Sequence, residues 1–178
     1  MSGTPSSGSD AIPGSVPGST FVYVTYIRTS PERLWAALTT PEFAAQYWMG
    51  MRLESAWTAG APWRLVRPDG TVTDVGEVIE IDPPRRLTLR WRNELVPDLT
   101  AEGYSRCTME VEPAGNAAAD QGDAVKLTVT HTMEREGTRF IAAVAGGWPQ
   151  ILSNLKSLLE TGAPVMTARA PARTTAAA

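Results

Sequence analysis

The chain has 178 residues, of which 16 are basic and 19 acidic, for a formal charge of −3 at pH 7. This length suffices for one domain with a sizeable core. Nucleic acid and anionic membranes require a concentrated basic surface, so we expect neither as a partner. The single cysteine, Cys107, excludes an internal disulfide and a cysteine-based zinc site, and it fits a reducing cytoplasm. We expect no metal and no cofactor.

Both ends of the chain lack the apolar residues needed to pack on a core. Residues 1–19 are rich in Ser, Gly and Pro, and residues 163–178 mix Ala, Thr, Arg and Pro without periodicity. Such composition predicts a disordered leader and a disordered tail around a domain at 20–162. The leader has no apolar core segment of a secretory signal, and no run approaches membrane-spanning length. We therefore expect a cytoplasmic protein without membrane insertion.

The first elements are predicted from local signals. Residues 21–27 are aromatic and β-branched, which is typical of a strand. Ser30 before Pro31 then predicts an N-cap and the start of a short helix through Leu38. Thr40 and Pro41 repeat that signal, so a second short helix should follow.

The middle of the chain alternates apolar and polar residues, as strands do. Alternation predicts strands around 63–65, 71–81, 86–91, 105–111 and 125–133, with a bulge at Gly76. From Thr138 the period becomes helical and continues to a terminating Gly162. Pro149 should kink or restart this helix, because proline lacks the amide hydrogen.

These elements occur in the order of a known superfamily. The chain resembles START-like (SRPBCC) proteins, and among them the branch named for the activator of the heat-shock chaperone ATPase. The resemblance lies in residues 30–35, 40–42, 82–91, 128–131 and 147–160. It implies an α+β helix-grip fold: a curved antiparallel sheet wrapped around a long C-terminal helix, with two short helices after the first strand. Members include lipid carriers, hormone receptors, polyketide cyclases and co-chaperones.

A helix-grip fold implies an apolar cavity between the sheet and the C-terminal helix. The inward-facing Trp, Met and aliphatic residues could line it, although the same residues fill volume in ordinary cores. The predicted lining comprises Trp35, Trp48, Met49, Trp63, Leu65, Leu89, Trp91, Cys107, Met109, Val129, His131, Met133, Val144, Trp148 and Leu152.

His131 is the only histidine and lies on the inner face of the last predicted strand. It could orient a ligand or act as a base, or it could be a core histidine satisfied by hydrogen bonds. Ser105 and Cys107 face inward on the preceding strand and could approach it. No nearby motif supplies an orienting third group, so we assign no catalytic residue.

The opposite face of the sheet is rich in arginine. Arg86, Arg90 and Arg92 could form an anion site or a docking face for an acidic partner. A simpler interpretation is a solvated face on which Glu110 and Glu112 supply opposite charges.

Three functions are compatible with these features. We predict a non-catalytic carrier or sensor, a monomer or weak homodimer, that binds a small apolar or aromatic molecule internally. One alternative is an enzyme of the polyketide cyclase type, with His131 or another polar group of the cavity assisting proton transfer. The other is a co-chaperone or protein-binding module that uses the arginine-rich face.

Overall fold

A computed structural model describes residues 18–114 and 124–167. Both predicted tails thus lie largely outside the described residues, and the domain bounds of 20–162 stay a prediction. Seven strands and four helices occur within the described ranges: β1 (Ser19–Arg28), α1 (Pro31–Thr39), α2 (Pro41–Tyr47), β2 (Arg52–Ser55), β3 (Pro62–Val66), β4 (Val72–Asp82), β5 (Arg86–Asn93), α3 (Pro97–Ala101), β6 (Ser105–Pro113), β7 (Ala124–Met133) and α4 (Arg139–Thr161).

The strands form one antiparallel sheet in the order β1-β7-β6-β5-β4-β3-β2. The first strand thus pairs with the last, and α4 packs against β1 and β7. This architecture confirms the predicted α+β helix-grip fold. None of the helices in the described ranges is long and apolar enough to cross a membrane.

The core lies on the face of the sheet that α4 covers. Alternation along β7 buries Val125, Leu127, Val129 and His131 completely. The inner residues of β5 and β6 are buried in the same way, as predicted from their period of two. Because one face of each strand is apolar, shifting the pairing of a strand by one residue would expose all of its buried residues.

The predicted caps of α1 and α4 are present, whereas Thr40 precedes α2 without a side-chain cap hydrogen bond. The Ser30 hydroxyl accepts a hydrogen bond from the Arg33 amide (3.2 Å), and Pro31 opens α1. Thr138 caps α4 through the Ile141 amide (3.4 Å), and Gly162 ends α4 at φ 85°. That left-handed conformation strains any residue with a Cβ, so glycine is favoured there.

Several local features differ from the sequence-based expectation. Of the two predicted effects of Pro149, a restart of the helix is absent, since α4 continues for 23 residues, while a kink stays a prediction; the Gln150 side chain donates to the Gly146 carbonyl (3.1 Å) beside it. A proline removes only one intrahelical bond, and the long apolar face of α4 holds the helix on the sheet. The short elements β2 and α3 were not predicted. Each is too short to show a period.

Gly76 is not the bulge, which falls between Val78 and Glu80. Instead, Gly76 makes room for a tryptophan. A Cβ there would overlap the Arg90 carbonyl oxygen and approach Nε1 of Trp63 to 2.6 Å. That indole nitrogen donates to the same carbonyl (2.9 Å), so the absence of a side chain at Gly76 permits a buried hydrogen bond.

The chain after α4 is fastened to the domain by a buried amide. Asn154 is fully buried in α4, and its Nδ2 donates to the carbonyls of Tyr47 (3.1 Å) and Met166 (2.9 Å). Its Oδ1 accepts from the Met166 amide (2.7 Å). Met166, in the stretch predicted as a disordered tail, therefore contacts α4.

Truncation tests this attachment. A chain ending at Thr167 should keep the free energy of unfolding of the full chain, because residues 168–178 have too little apolar content to contribute stability. A chain ending at Ala163 should lose roughly 1–3 kcal/mol, since Oδ1 of Asn154 loses its donor while buried. Urea denaturation of the three chains measures both differences. Equal stability of the two truncated chains would contradict the assignment.

Candidate functional site

A cavity of about 240 Å³ lies between the sheet and α4. Residues of β3, β4 and β5 form one side, and α3, α4 and the chain after α2 form the other. The lining is mostly apolar, and the volume is below the usual range for drug-sized ligands, so it suits a small molecule. The lining residues are Trp48, Met51, Leu65, Asp74, Trp91, Asn93, Leu99, Phe140, Ala143, Val144, Gly147, Trp148 and Ile151.

Three tryptophans form an aromatic cluster in this wall. The ring centroids of Trp48 and Trp148 are 5.3 Å apart, and Trp91 lies 6.2 Å from Trp48 and 6.0 Å from Trp148. Trp63 supports Trp91 from behind at 4.4 Å. Trp48 stacks on Trp91, and Trp148 meets both rings edge to face, which are favourable aromatic geometries, so the rings hold one another in place.

One end of the cavity is polar. Asp74 is 8% exposed, and its Oδ1 accepts hydrogen bonds from Nε1 of Trp91 (2.9 Å) and Nδ2 of Asn93 (3.1 Å). Asn93 is held in turn, because its Oδ1 accepts from the amides of Leu95 (3.1 Å) and Val96 (2.9 Å). The carboxylate is therefore presented by a fixed framework.

His131 lies deeper than the cavity, against its aromatic wall. Its ring is 5.4 Å from Trp91, 5.8 Å from Trp148 and 5.9 Å from Phe140. Nδ1 is 3.3 Å from the Ser105 hydroxyl, which donates to the Trp91 carbonyl (3.3 Å). Nε2 has no hydrogen-bond partner among the described residues. Burial lowers the pKa of His131 to about 3, so the imidazole is neutral at pH 7.

The predicted proximity of Ser105 and Cys107 to His131 is present. Cys107 is the direct cross-strand partner of His131, and Ser105 is within hydrogen-bond distance. Burial raises the pKa of the Cys107 thiol well above its ordinary value, so little thiolate forms near neutral pH. Cys107 is therefore not an activated nucleophile beside His131.

The structure brings five of the fifteen predicted residues into the cavity wall: Trp48, Leu65, Trp91, Val144 and Trp148. Seven others are buried in the core outside that wall: Trp63, Leu89, Cys107, Met109, Val129, His131 and Leu152. Trp35 and Met49 are partly buried and pack on the core, while Met133 contributes to a separate concavity. Inward orientation therefore does not by itself select the residues that line the cavity.

Sequence reasoning missed the polar end of the cavity. Asp74 shares the inward face of β4 with Gly76 and Val78, and this spacing of two was visible in the sequence. A charged residue on an inward row is the signal that could have found it. The register shift between β3 and β4 at Leu65 and Val66 buries both Thr73 and Asp74 and so breaks the alternation there, and the register of Asn93 opposite Asp74 follows only from strand pairing.

A second, larger concavity of about 840 Å³ lies mainly on the outer face of the sheet. Arg90 and Arg106 are direct cross-strand partners in its lining, and Arg90 stacks on the Tyr104 ring at 4.0 Å. By contrast, Arg86 pairs with Glu80 (3.6 Å) and Glu110 (3.7 Å), as the solvated-face interpretation predicts. Within 18–114 and 124–167, no group of three His, Cys, Asp or Glu side chains could hold a metal ion.

Solved structures share this fold. The chain is similar to protein MLL2253 from Mesorhizobium loti, with 24% identity, a TM-score of 0.63 and coverage of 79% of this chain and 96% of that one. The Aha1 dimer from Colwellia psychrerythraea matches at 21% identity, TM-score 0.62 and 81% and 98% coverage. PFC0360w, an HSP90 activator from Plasmodium falciparum, matches at 22% identity, TM-score 0.60 and 79% and 95% coverage.

No match was found among curated proteins. At the level of families, the model described as "Activator of Hsp90 ATPase homolog 1-like protein" matches residues 28–160. That span runs from the end of β1 to the last turn of α4 and includes the whole cavity wall. The chain belongs to this family of Activator of Hsp90 ATPase homolog 1-like proteins.

Proposed function

We propose that this chain is a cytoplasmic, non-catalytic binding protein for a small apolar or aromatic molecule, acting as a monomer or weak homodimer. The observation that carries the proposal is the cavity of about 240 Å³ walled by Trp48, Trp91 and Trp148. Burying an apolar ligand there removes its surface from water, at roughly 25 cal/mol per Å². The aromatic rings are already positioned, so binding orders few additional side chains.

Two adjacent glycines of α4 supply a matched test of the site. Apart from its chain neighbours and the nearby backbone of α4, a Cβ at Gly146 or Gly147 would meet no atom within 4 Å, but only Gly147 lines the cavity. Leucine at either position removes a helical glycine and should be tolerated by α4. At Gly147, however, the added side chain occupies cavity volume.

The wild type and Gly146→Leu should therefore bind the neutral probe 1-naphthalenemethanol, and Gly147→Leu should lose most of that affinity. Isothermal titration calorimetry measures affinity. Probe at one hundred times its Kd should stabilise the binding variants by about 2.7 kcal/mol, seen as a thermal shift. No binding by the wild type, or equal binding by both leucine variants, would refute the cavity as the site.

The environment of His131 favours binding over catalysis. A general base works best with a pKa near the operating pH, whereas burial lowers the pKa of His131 to about 3. Its neighbour Cys107 has a raised pKa, and Ser105 has only a weakly basic partner. His131 instead fixes Ser105 and packs against the tryptophan cluster, which makes it a positioning residue.

The low pKa of His131 predicts a pH dependence of stability. In the unfolded chain the imidazole protonates near pH 6.5, but in the folded chain only near pH 3. Between these values the unfolded state binds more protons, so the free energy of unfolding falls as the pH falls. Protonation of this imidazole in the unfolded chain should lower the free energy of unfolding by about 1.4 kcal/mol for each pH unit below pH 6.

His131→Gln removes this titration. The difference in free energy of unfolding between wild type and His131→Gln should be constant from pH 7 to 8. From pH 6 to 4 the free energy of unfolding of the wild type should fall more than that of His131→Gln. Urea denaturation at each pH measures it. If the two stability curves stay parallel down to pH 4, the imidazole is not held neutral by the fold.

A second candidate function is action on the chaperone Hsp90. Membership of the family and similarity to the HSP90 activator from Plasmodium falciparum support it. The Arg90 and Arg106 pair on the outer face adds a physical reason, because the two like charges are cross-strand partners, only Arg90 has an acidic residue opposite it (Glu77), and an acidic partner surface would relieve the repulsion.

An Hsp90 ATPase assay tests this candidate. The chain should stimulate ATP hydrolysis, and the double variant Arg90→Glu with Arg106→Glu should lose most of the stimulation. Arg33→Glu, a charge reversal at an exposed position of α1, should retain it. Absence of stimulation by the wild type, or full stimulation by the double variant, would reject this candidate.

A further inference from the structure

The cavity contains a carboxyl group without a basic partner. Asp74 is 8% exposed and lines the cavity, yet both of its hydrogen-bond donors, Trp91 and Asn93, are neutral. Within the described residues, Asp74 has no salt bridge, and the nearby Arg92 pairs with Glu94 (2.6 Å) instead. A carboxylate that meets only neutral donors and borders a cavity is a natural partner for a cationic group of a ligand.

We infer that the cavity takes a small organic cation, an ammonium group on an apolar or aromatic body, with the ammonium group directed at Asp74. This inference rests on the proposed function and names its ligand class. Oδ1 of Asp74 is occupied by two N–H donors, whereas Oδ2 accepts no hydrogen bond from the described residues. A ligand N–H group would supply both the missing donor and the missing positive charge.

The aromatic walls suit the same ligand. Trp91 donates its indole N–H to Asp74 and turns its ring toward Trp48 and Trp148. Tryptophan faces attract cations through the ring quadrupole, most strongly where water is excluded. The carboxylate and the rings therefore select the same charge, while Leu65, Leu99, Val144 and Ile151 provide surface for the uncharged body.

The site is also preorganised. Asn93 holds Asp74 through Nδ2, and its own Oδ1 is fixed by two backbone amides at the start of α3. The carboxylate consequently has little freedom to turn away from the cavity. A fixed counter-charge gains more from a cation than a mobile one, because no rotamer freedom is lost on binding.

The test compares two probes of nearly equal shape. We expect 1-naphthylmethylamine, which carries an ammonium group at pH 7, to bind the wild type roughly tenfold or more tightly than 1-naphthalenemethanol. In Asp74→Asn this preference should disappear, with the affinity for the alcohol nearly unchanged. Glu32→Gln removes the same formal charge from an exposed position of α1 and should keep the preference. Isothermal titration calorimetry measures all six affinities.

Each outcome has a separate meaning. Equal binding of amine and alcohol by the wild type overturns the cation inference and leaves the proposed function in place. A preference that survives in Asp74→Asn overturns the role of Asp74. If neither probe binds the wild type, both the proposed function and this inference fail. The wild-type comparison decides the matter even if Asp74→Asn does not fold, which a thermal melt would reveal.

Discussion

The absence of a side chain at Gly76 is the constraint on which the inner face of this protein depends. Strand pairing places Trp63, Gly76, Trp91 and Ser105 in one row across four strands. Because Gly76 leaves its place empty, Trp63 can reach over β4, donate to the Arg90 carbonyl and contact Trp91. A buried indole N–H needs such an acceptor, so any larger residue at Gly76 would disturb both rings.

Trp91 connects the row of residues around Gly76 with the cavity. Its ring contacts Trp48, Trp148 and His131, and its N–H donates to Asp74. One side chain thus joins the aromatic wall to the polar end. Movement of Trp91 would alter both, because close-packed rings have few alternative positions. The interior is accordingly neither a solid core nor an open channel: His131 and Leu152 are packed, while the space beside Val144 and Gly147 stays available.

The two faces of the sheet offer different chemical groups. The inner face offers tryptophan rings and one carboxylate. The outer face offers the Arg90 and Arg106 pair beside Tyr104. The two sets of residues alternate along β5, where Trp91 points inward and Arg90 outward. Binding at one face therefore does not require the residues of the other.

Much of the fold was predictable from the sequence, because its signals are local. Prolines after cap residues started α1 and α2 where expected, Gly162 ended α4, and alternation along β6 and β7 identified the inward residues. The inward placement of His131 followed from the same alternation, whereas the approach of Ser105 to it also required the register of β6 against β7. Such features depend on neighbours along the chain, whose geometry a period of two or 3.6 describes.

The site itself was decided by tertiary structure. Alternation assigns a residue to a face, but only the pairing register sets Asp74 beside Asn93 and Trp91, and only the position of α4 separates cavity residues from core residues. Leu89 and Trp91 share one face of β5, yet one is fully buried in the core and the other borders the cavity. The distinction arises from contacts between residues far apart in sequence, which no local pattern encodes.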